Sequence, residues 1–141
     1  MNLFTGVWRL VSYEARWSDG CVEYPFGEHA TGMLVYTADG HMTGQVMRSG
    51  RKQLPSGYRK AGAGENALDA FDGYIAYCGR YRVEESTSEI VHIVEASLYP
   101  NWTGGEQRRR YSLQGDVLTL EAVRAAKDKA VVNRLVWRRA K

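Results

Sequence analysis

The sequence predicts an all-β fold, an antiparallel up-and-down β-barrel of about eight to ten strands with one short helix. Three observations predict it. Apolar and polar residues alternate with a period of two through most of the chain beyond residue 74. Turn-forming residues separate these runs at short intervals. Helical spacing occurs in one segment, "ENALDAFDGY". So many short strands would leave unpaired edges in an open sheet, and closure removes them.

Taken in order, residues 4–13 mix apolar and polar positions in near-alternation. Trp8 and Leu10 share one side, while Arg9 and Ser12 are placed less regularly, which reads as a first strand. Asp19-Gly20 marks a turn. Strands at 33–37 and 41–47 flank Ala38-Asp39-Gly40, where the Asp-Gly pair favours a tight hairpin. Residues 48–64 are rich in Gly, Ser, Lys and Arg without a period, and read as a long loop of the kind that serves as a lid or binding loop. A helix over 65–71 follows, with Ala67, Leu68 and Phe71 at helical spacing, ending near Gly73. Further strands are expected at 74–84, 89–97, 107–113, 117–123 and 131–139, with turns at 85–88, 101–105 and 115–116.

The chain of 141 residues suits one domain spanning 1–141. Its 44% apolar and 25% charged residues are those of a folded protein. Net charge is +3, and the basic residues are scattered apart from Arg108-Arg109-Arg110 and Arg138-Arg139. This pattern lacks the continuous basic face that binds a phosphate backbone, so no nucleic-acid partner is expected. The start "MNLFTGVWRLVSYEARW" has neither a basic leader nor an apolar h-region, and no stretch approaches a membrane span. The expectation is a cytoplasmic protein without a membrane partner. A homodimer is left open. Cys21 and Cys78 have no CxxC neighbour and read as reduced side chains.

Several segments resemble a known family. Gly6-Val7-Trp8 is similar to the Gly-x-Trp signature on the first strand of lipocalins. The terminal "LVWRR" looks like the strand whose Arg packs over that Trp at the closed end of the barrel. The order of "YPFGEHATGMLVYTADGHMTG", "GYIAYCGRYRVEE", "VHIVEASLYPNWTGGEQRRRYSL" and "GDVLTLEA" resembles the bacterial and fungal lipocalin-like domain family, a small calycin-type barrel, over about residues 3–139. The resemblance implies an internal cavity rather than a defined reaction.

Strand alternation puts His92, Val94 and Ala96 on one face and Val91, Ile93, Glu95 and Ser97 on the other. The resemblance favours the His92 face as inward. The same rule groups Tyr77, Gly79, Tyr81 and Val83, and likewise Gln107, Arg109, Tyr111 and Leu113. Together with His92 these form a polar wall of imidazole, amide, guanidinium and phenols. One reading is a site for a carboxylate, enolate or phenolate, since Arg offers a bidentate fork and His exchanges protons near neutrality. The other is an internal hydrogen-bond network. Trp102, in "PNWTGG", either caps the mouth or packs under its own turn. Trp8 and Arg139 read as a structural cation–π pair.

His29 and His41 read as surface residues. With His92 they lack HxH or HxxxH spacing, so no metal site is expected. No phosphate-cradling or dinucleotide motif is present, and no cofactor is expected. Three functions follow. The first is a small-molecule-binding protein with an internal cavity for a mainly apolar, aromatic or polyketide-like ligand, bound by His92, Arg109, Gln107, Tyr77, Tyr81, Trp102 and Tyr111. The second is a cofactor-independent cyclase or isomerase, with His92 as general base and Arg109 and Tyr81 as oxyanion stabilisers. The third is a packed barrel with a structural or interaction role.

Overall fold

The computed structural model describes residues 2–54, 65–126 and 128–141. Strand β1 runs over Gly6–Trp17, β2 over Val22–Glu23, β3 over Thr31–Tyr36 and β4 over His41–Met47. Helix α1 spans Glu65–Asp72. Five further strands follow: β5 (Tyr74–Glu84), β6 (Glu89–Ser97), β7 (Glu106–Gln114), β8 (Val117–Ala126) and β9 (Lys129–Arg139). The sheet order is β2-β1-β3-β4-β5-β6-β7-β8-β9, all neighbours are antiparallel, and β1 also pairs with β9. That last pairing closes eight strands into an up-and-down barrel, while β2 hangs on β1 alone. The expected fold class is therefore borne out.

Local chemistry explains the elements. In the β3–β4 turn Gly40 adopts φ +92°, which an L side chain rarely adopts, and the Thr37 hydroxyl bonds to the Asp39 carboxylate. The predicted helix is present, and the Gly73 N–H donates to the Asp69 carbonyl at its end. Of the predicted loop, 48–54 carries no strand or helix, and 55–64 lies outside the described residues.

Two register shifts break the alternation on which face assignments rest. On β1, Leu10 faces Trp137 and Ser12 faces Val136, leaving Val11 as an extra residue. The inward set changes phase there, from Trp8 and Leu10 to Tyr13 and Ala15, which is why the sequence pattern looked irregular near Ser12. On β6, Val94 faces Gly79 while Ala96 faces Cys78, so Glu95 is the extra residue. The expected grouping of Ala96 with His92 is thereby corrected: beyond the bulge, Ser97 lies opposite Tyr77 and Ala96 is exposed. Gly79 makes this bulge sterically feasible, because a Cβ built on it would meet the Ile93 carbonyl oxygen at 2.0 Å.

Phe4, Trp8, Tyr36, Tyr81, Ile90 and Leu118 are buried in one cluster toward one end of the barrel, and the cluster continues through Leu34, Met42, Val46, Leu120 and Trp137 toward the other. The Trp8 indole N–H donates to the Phe4 carbonyl at 2.9 Å. The Arg139 guanidinium lies 4.3 Å from the Trp8 ring centroid, the cation–π geometry expected of this pair. Its Nη1 and Nη2 donate to the Thr5 and Leu3 carbonyls at 2.8 and 2.9 Å, tying the N-terminal segment to β9.

Candidate functional site

A pocket of about 600 Å³ opens at the other end of the barrel, with apolar walls that include Leu34, Met42, Val46, Ile75, Leu120 and Leu135. One polar wall comes from neighbouring strands, with Tyr77 on β5, His92 on β6, and Gln107 and Arg109 on β7, while Gln45 on β4 and Asn133 on β9 add two amides. Antiparallel register puts His92 directly opposite Gln107 on β7; on β5 its direct partner is Tyr81, and Tyr77, opposite Ser97, reaches it along the diagonal. Glu23 and Arg124, both exposed, also line the pocket.

His92 is 2% exposed and is held at both ring nitrogens. The Tyr36 hydroxyl lies 2.6 Å from Nε2, and the Tyr77 hydroxyl 2.6 Å from Nδ1. Burial, followed by the Arg109 charge, lowers the His92 pKa to about 3, so the imidazole is neutral at physiological pH. Burial likewise raises the Tyr36 phenol well above its ordinary value, with Tyr77 and Tyr81 adding to the effect. Tyr77 and Tyr13 are raised by burial too, against a lowering pull from Arg109. All three phenols therefore stay protonated at neutral pH.

Arg109 is half-buried. Its Nη2 donates to the Gln107 side-chain oxygen at 3.0 Å and its Nη1 to the Arg108 carbonyl at 2.8 Å. Among the described residues no carboxylate lies within ion-pair distance of it. The result is a cation whose local field is felt by Tyr13, Tyr36, Tyr77 and His92 alike.

Of the seven residues expected to bind a ligand, Tyr77, His92, Trp102, Gln107 and Arg109 are brought together around this pocket. Tyr81 and Tyr111 are not. Both border a separate recess of about 550 Å³ at the opposite end, beside Asn2, Phe4 and Gly40. There the Tyr81 hydroxyl donates to the Thr37 carbonyl at 2.8 Å and accepts from Asn2 at 2.5 Å, while Tyr111 meets Phe4 edge-to-face at 4.9 Å. The inward parity of both residues is as expected. What differs is depth: along β5, Tyr81 lies four residues from Tyr77, about 13 Å of strand at the usual rise.

Trp102 packs edge-on to Tyr77 at 5.9 Å between ring centroids and to Tyr99 at 5.2 Å. It lines the pocket and packs against Tyr99 of its own turn. His41 is exposed, its Nδ1 3.1 Å from Asp39, and His29 is exposed as well. No group of three or more metal-ligating side chains occurs among the described residues.

Sequence reasoning missed Tyr13, Trp17, Tyr36 and Trp137. For Tyr36 a signal existed, because it alternates in phase with Leu34 on β3. For Tyr13 and Trp17 the β1 bulge hid it.

A sequence model described as a lipocalin-like domain matches residues 5–140. The chain belongs to the lipocalin-like domain family. Its closed eight-stranded barrel accords with that membership. This lipocalin-like domain is 37% identical over 106 residues to a protein of Aspergillus oryzae (strain ATCC 42149 / RIB 40) named a 4'-hydroxy-3'-methoxypropiophenone carrier protein, covering 70% of this chain and 96% of the relative. No solved structure matches the lipocalin-like domain. Among the described residues, no helix is long and apolar enough to cross a membrane.

Proposed function

We propose that this lipocalin-like protein binds and carries a small, mainly apolar, aromatic ligand in the pocket of its barrel, with no cofactor. The observation that carries the reading is the pocket of about 600 Å³, whose apolar walls converge on Tyr77, His92, Gln107 and Arg109. Ligand sites of small molecules have this size and this ratio of apolar wall to a few placed polar groups. The relative's name supports the ligand class: a phenolic aryl ketone combines a flat apolar body with oxygen acceptors at its ends. The volume argues against a barrel packed solid.

The cyclase or isomerase alternative needs His92 as a general base. Both of its ring nitrogens are engaged by phenols, and its depressed pKa makes it a weak base at neutral pH. Tyr81, the expected oxyanion stabiliser, borders the other recess. Binding is therefore the better-supported reading.

Titration with 4'-hydroxy-3'-methoxypropiophenone tests it. Trp17, Trp102 and Trp137 all line the pocket, so binding should quench indole fluorescence saturably and raise the melting temperature. Unchanged fluorescence and melting temperature up to the compound's solubility limit, for this ketone and a panel of related phenols, would overturn the proposal.

A further inference from the structure

We infer that Tyr77 donates its hydroxyl hydrogen to the ligand, so that the pocket selects an occupant presenting a bare acceptor oxygen, the carbonyl of a conjugated ketone, at this position. The inference rests on the ligand-binding reading above and adds to it the polarity of the ligand's inner end.

Tyr36 lies outside the pocket lining. Tyr36 is 1% exposed, and Nε2 of His92 is the one hydrogen-bond partner of its hydroxyl among the described residues. A phenolic hydrogen enclosed in protein and left without an acceptor is strongly unfavourable. Tyr36 therefore donates, and Nε2 carries no hydrogen. A neutral imidazole holds one hydrogen, which then resides on Nδ1 and points at the Tyr77 oxygen 2.6 Å away. The Tyr77 oxygen accepts it. The hydrogen of Tyr77 itself is left over, with no protein acceptor among the described residues, and Tyr77 lines the pocket.

Burial and the Arg109 charge exclude the alternative in which both nitrogens of His92 are protonated and Tyr36 must accept. The neighbouring polar groups point the same way. Arg109 lines the pocket and carries donors alone, and the Gln107 oxygen, an acceptor on the same wall, is already taken by Arg109. Among the described residues the one carboxylate lining the pocket is Glu23, on the exposed strand β2. On the wall made by Tyr77, His92, Gln107 and Arg109 donors are thus in surplus, while the other lining amides, Gln45 and Asn133, each carry a donor and an acceptor. A ligand whose inner end is a donor alone, such as an ammonium, is mismatched there, while a ketone oxygen fits.

Two measurements test this. The first needs no ligand: nitrogen-15 spectra of His92 should show Nδ1 protonated and Nε2 bare. The second compares 4'-hydroxy-3'-methoxypropiophenone with its deoxo analogue, 2-methoxy-4-propylphenol, which keeps the body and loses the carbonyl. Wild type should prefer the ketone roughly fivefold to tenfold, the worth of one net hydrogen bond. In Tyr77→Phe the preference, taken as the ratio of the two affinities measured in the same variant, should fall below about twofold. Tyr36→Phe, a residue outside the pocket, should also erode the preference, because Nε2 is then free to hold the hydrogen and Tyr77 can turn its own toward Nδ1. An Nε2-protonated His92, or a full ketone preference surviving in Tyr77→Phe, overturns the inference while leaving ligand binding intact. If the tautomer is as stated but wild type binds neither compound, the ligand-binding reading fails, and this one with it.

Discussion

The Nε2 atom of His92 on β6 lies 2.6 Å from the Tyr36 hydroxyl on β3, joining two strands that are not neighbours in the sheet. With Tyr77 on β5 at the other ring nitrogen, the pair makes a buried relay between the core cluster, to which Tyr36 belongs, and the pocket, which Tyr77 lines.

Breaking that relay should destabilise the fold. Tyr36→Phe removes the donor and leaves Nε2 buried without a partner, a loss of about 1–3 kcal/mol. Urea denaturation of the variant checks this. An unchanged unfolding midpoint would mean that the bond contributes nothing net.

The relay also sets a pH dependence. His92 has a folded pKa of about 3, against an ordinary value of 6.5. Below 6.5 the unfolded chain therefore takes up a proton that the native state refuses. Stability is unaffected by this group above 6.5 and falls as pH drops from 6.5 toward 3, at a slope approaching about 1.4 kcal/mol per pH unit. Denaturation measured at steps between pH 7 and 5, where carboxylates titrate little, isolates the effect. In the same range the His92 ring resonances of the native protein should not shift, while those of a freely titrating histidine would.

Gly79 should resist substitution. An added Cβ would sit 2.0 Å from the Ile93 carbonyl oxygen, a backbone atom that cannot swing aside. Gly79→Ala should cost about 1–3 kcal/mol by overpacking and displace the bulge at Glu95. A melting temperature equal to that of wild type would show that β6 absorbs the methyl group without loss.

Beside Trp8, Arg139→Lys should lower stability by about 1–2 kcal/mol. A lysine keeps the charge over Trp8 but cannot reach the Thr5 and Leu3 carbonyls with one planar fork. Full retention of stability in the lysine variant would reduce the role of this side chain to its charge.

Filling the pocket separates binding from folding. Ala122, a small pocket-lining residue on β8, replaced by Phe should weaken ligand binding tenfold or more. Since the added ring enters open space, the unfolding midpoint should change little. Undiminished ligand affinity in this variant, measured by fluorescence titration, would place the ligand elsewhere.

Much of this barrel was legible in the sequence, because its signals are local. The Asp39-Gly40 turn, the helix over 65–71, and the inward parity of Tyr77, Tyr81, Gln107, Arg109 and Tyr111 follow from residue types and a period of two within single strands. Alternation says which side of a sheet a residue faces, and eight such strands can protect their edges by closing. Depth within the barrel is another matter. Tyr77 and Tyr81 share a face but reach opposite ends, and the stagger between strands that sets those depths is a property of the whole closed sheet. The bulges at Val11 and Glu95 shift parity within a strand because a partner strand demands it, with Gly79 leaving room for one of them. The meeting of Tyr36, His92 and Tyr77 joins residues 56 and 15 positions apart across the interior, and no local pattern encodes that distance. The sequence by itself determined the strands, the turns and the inward faces; only closure of the barrel decided which inward residues surround the pocket and which are buried in the core, because closure sets register and stagger together.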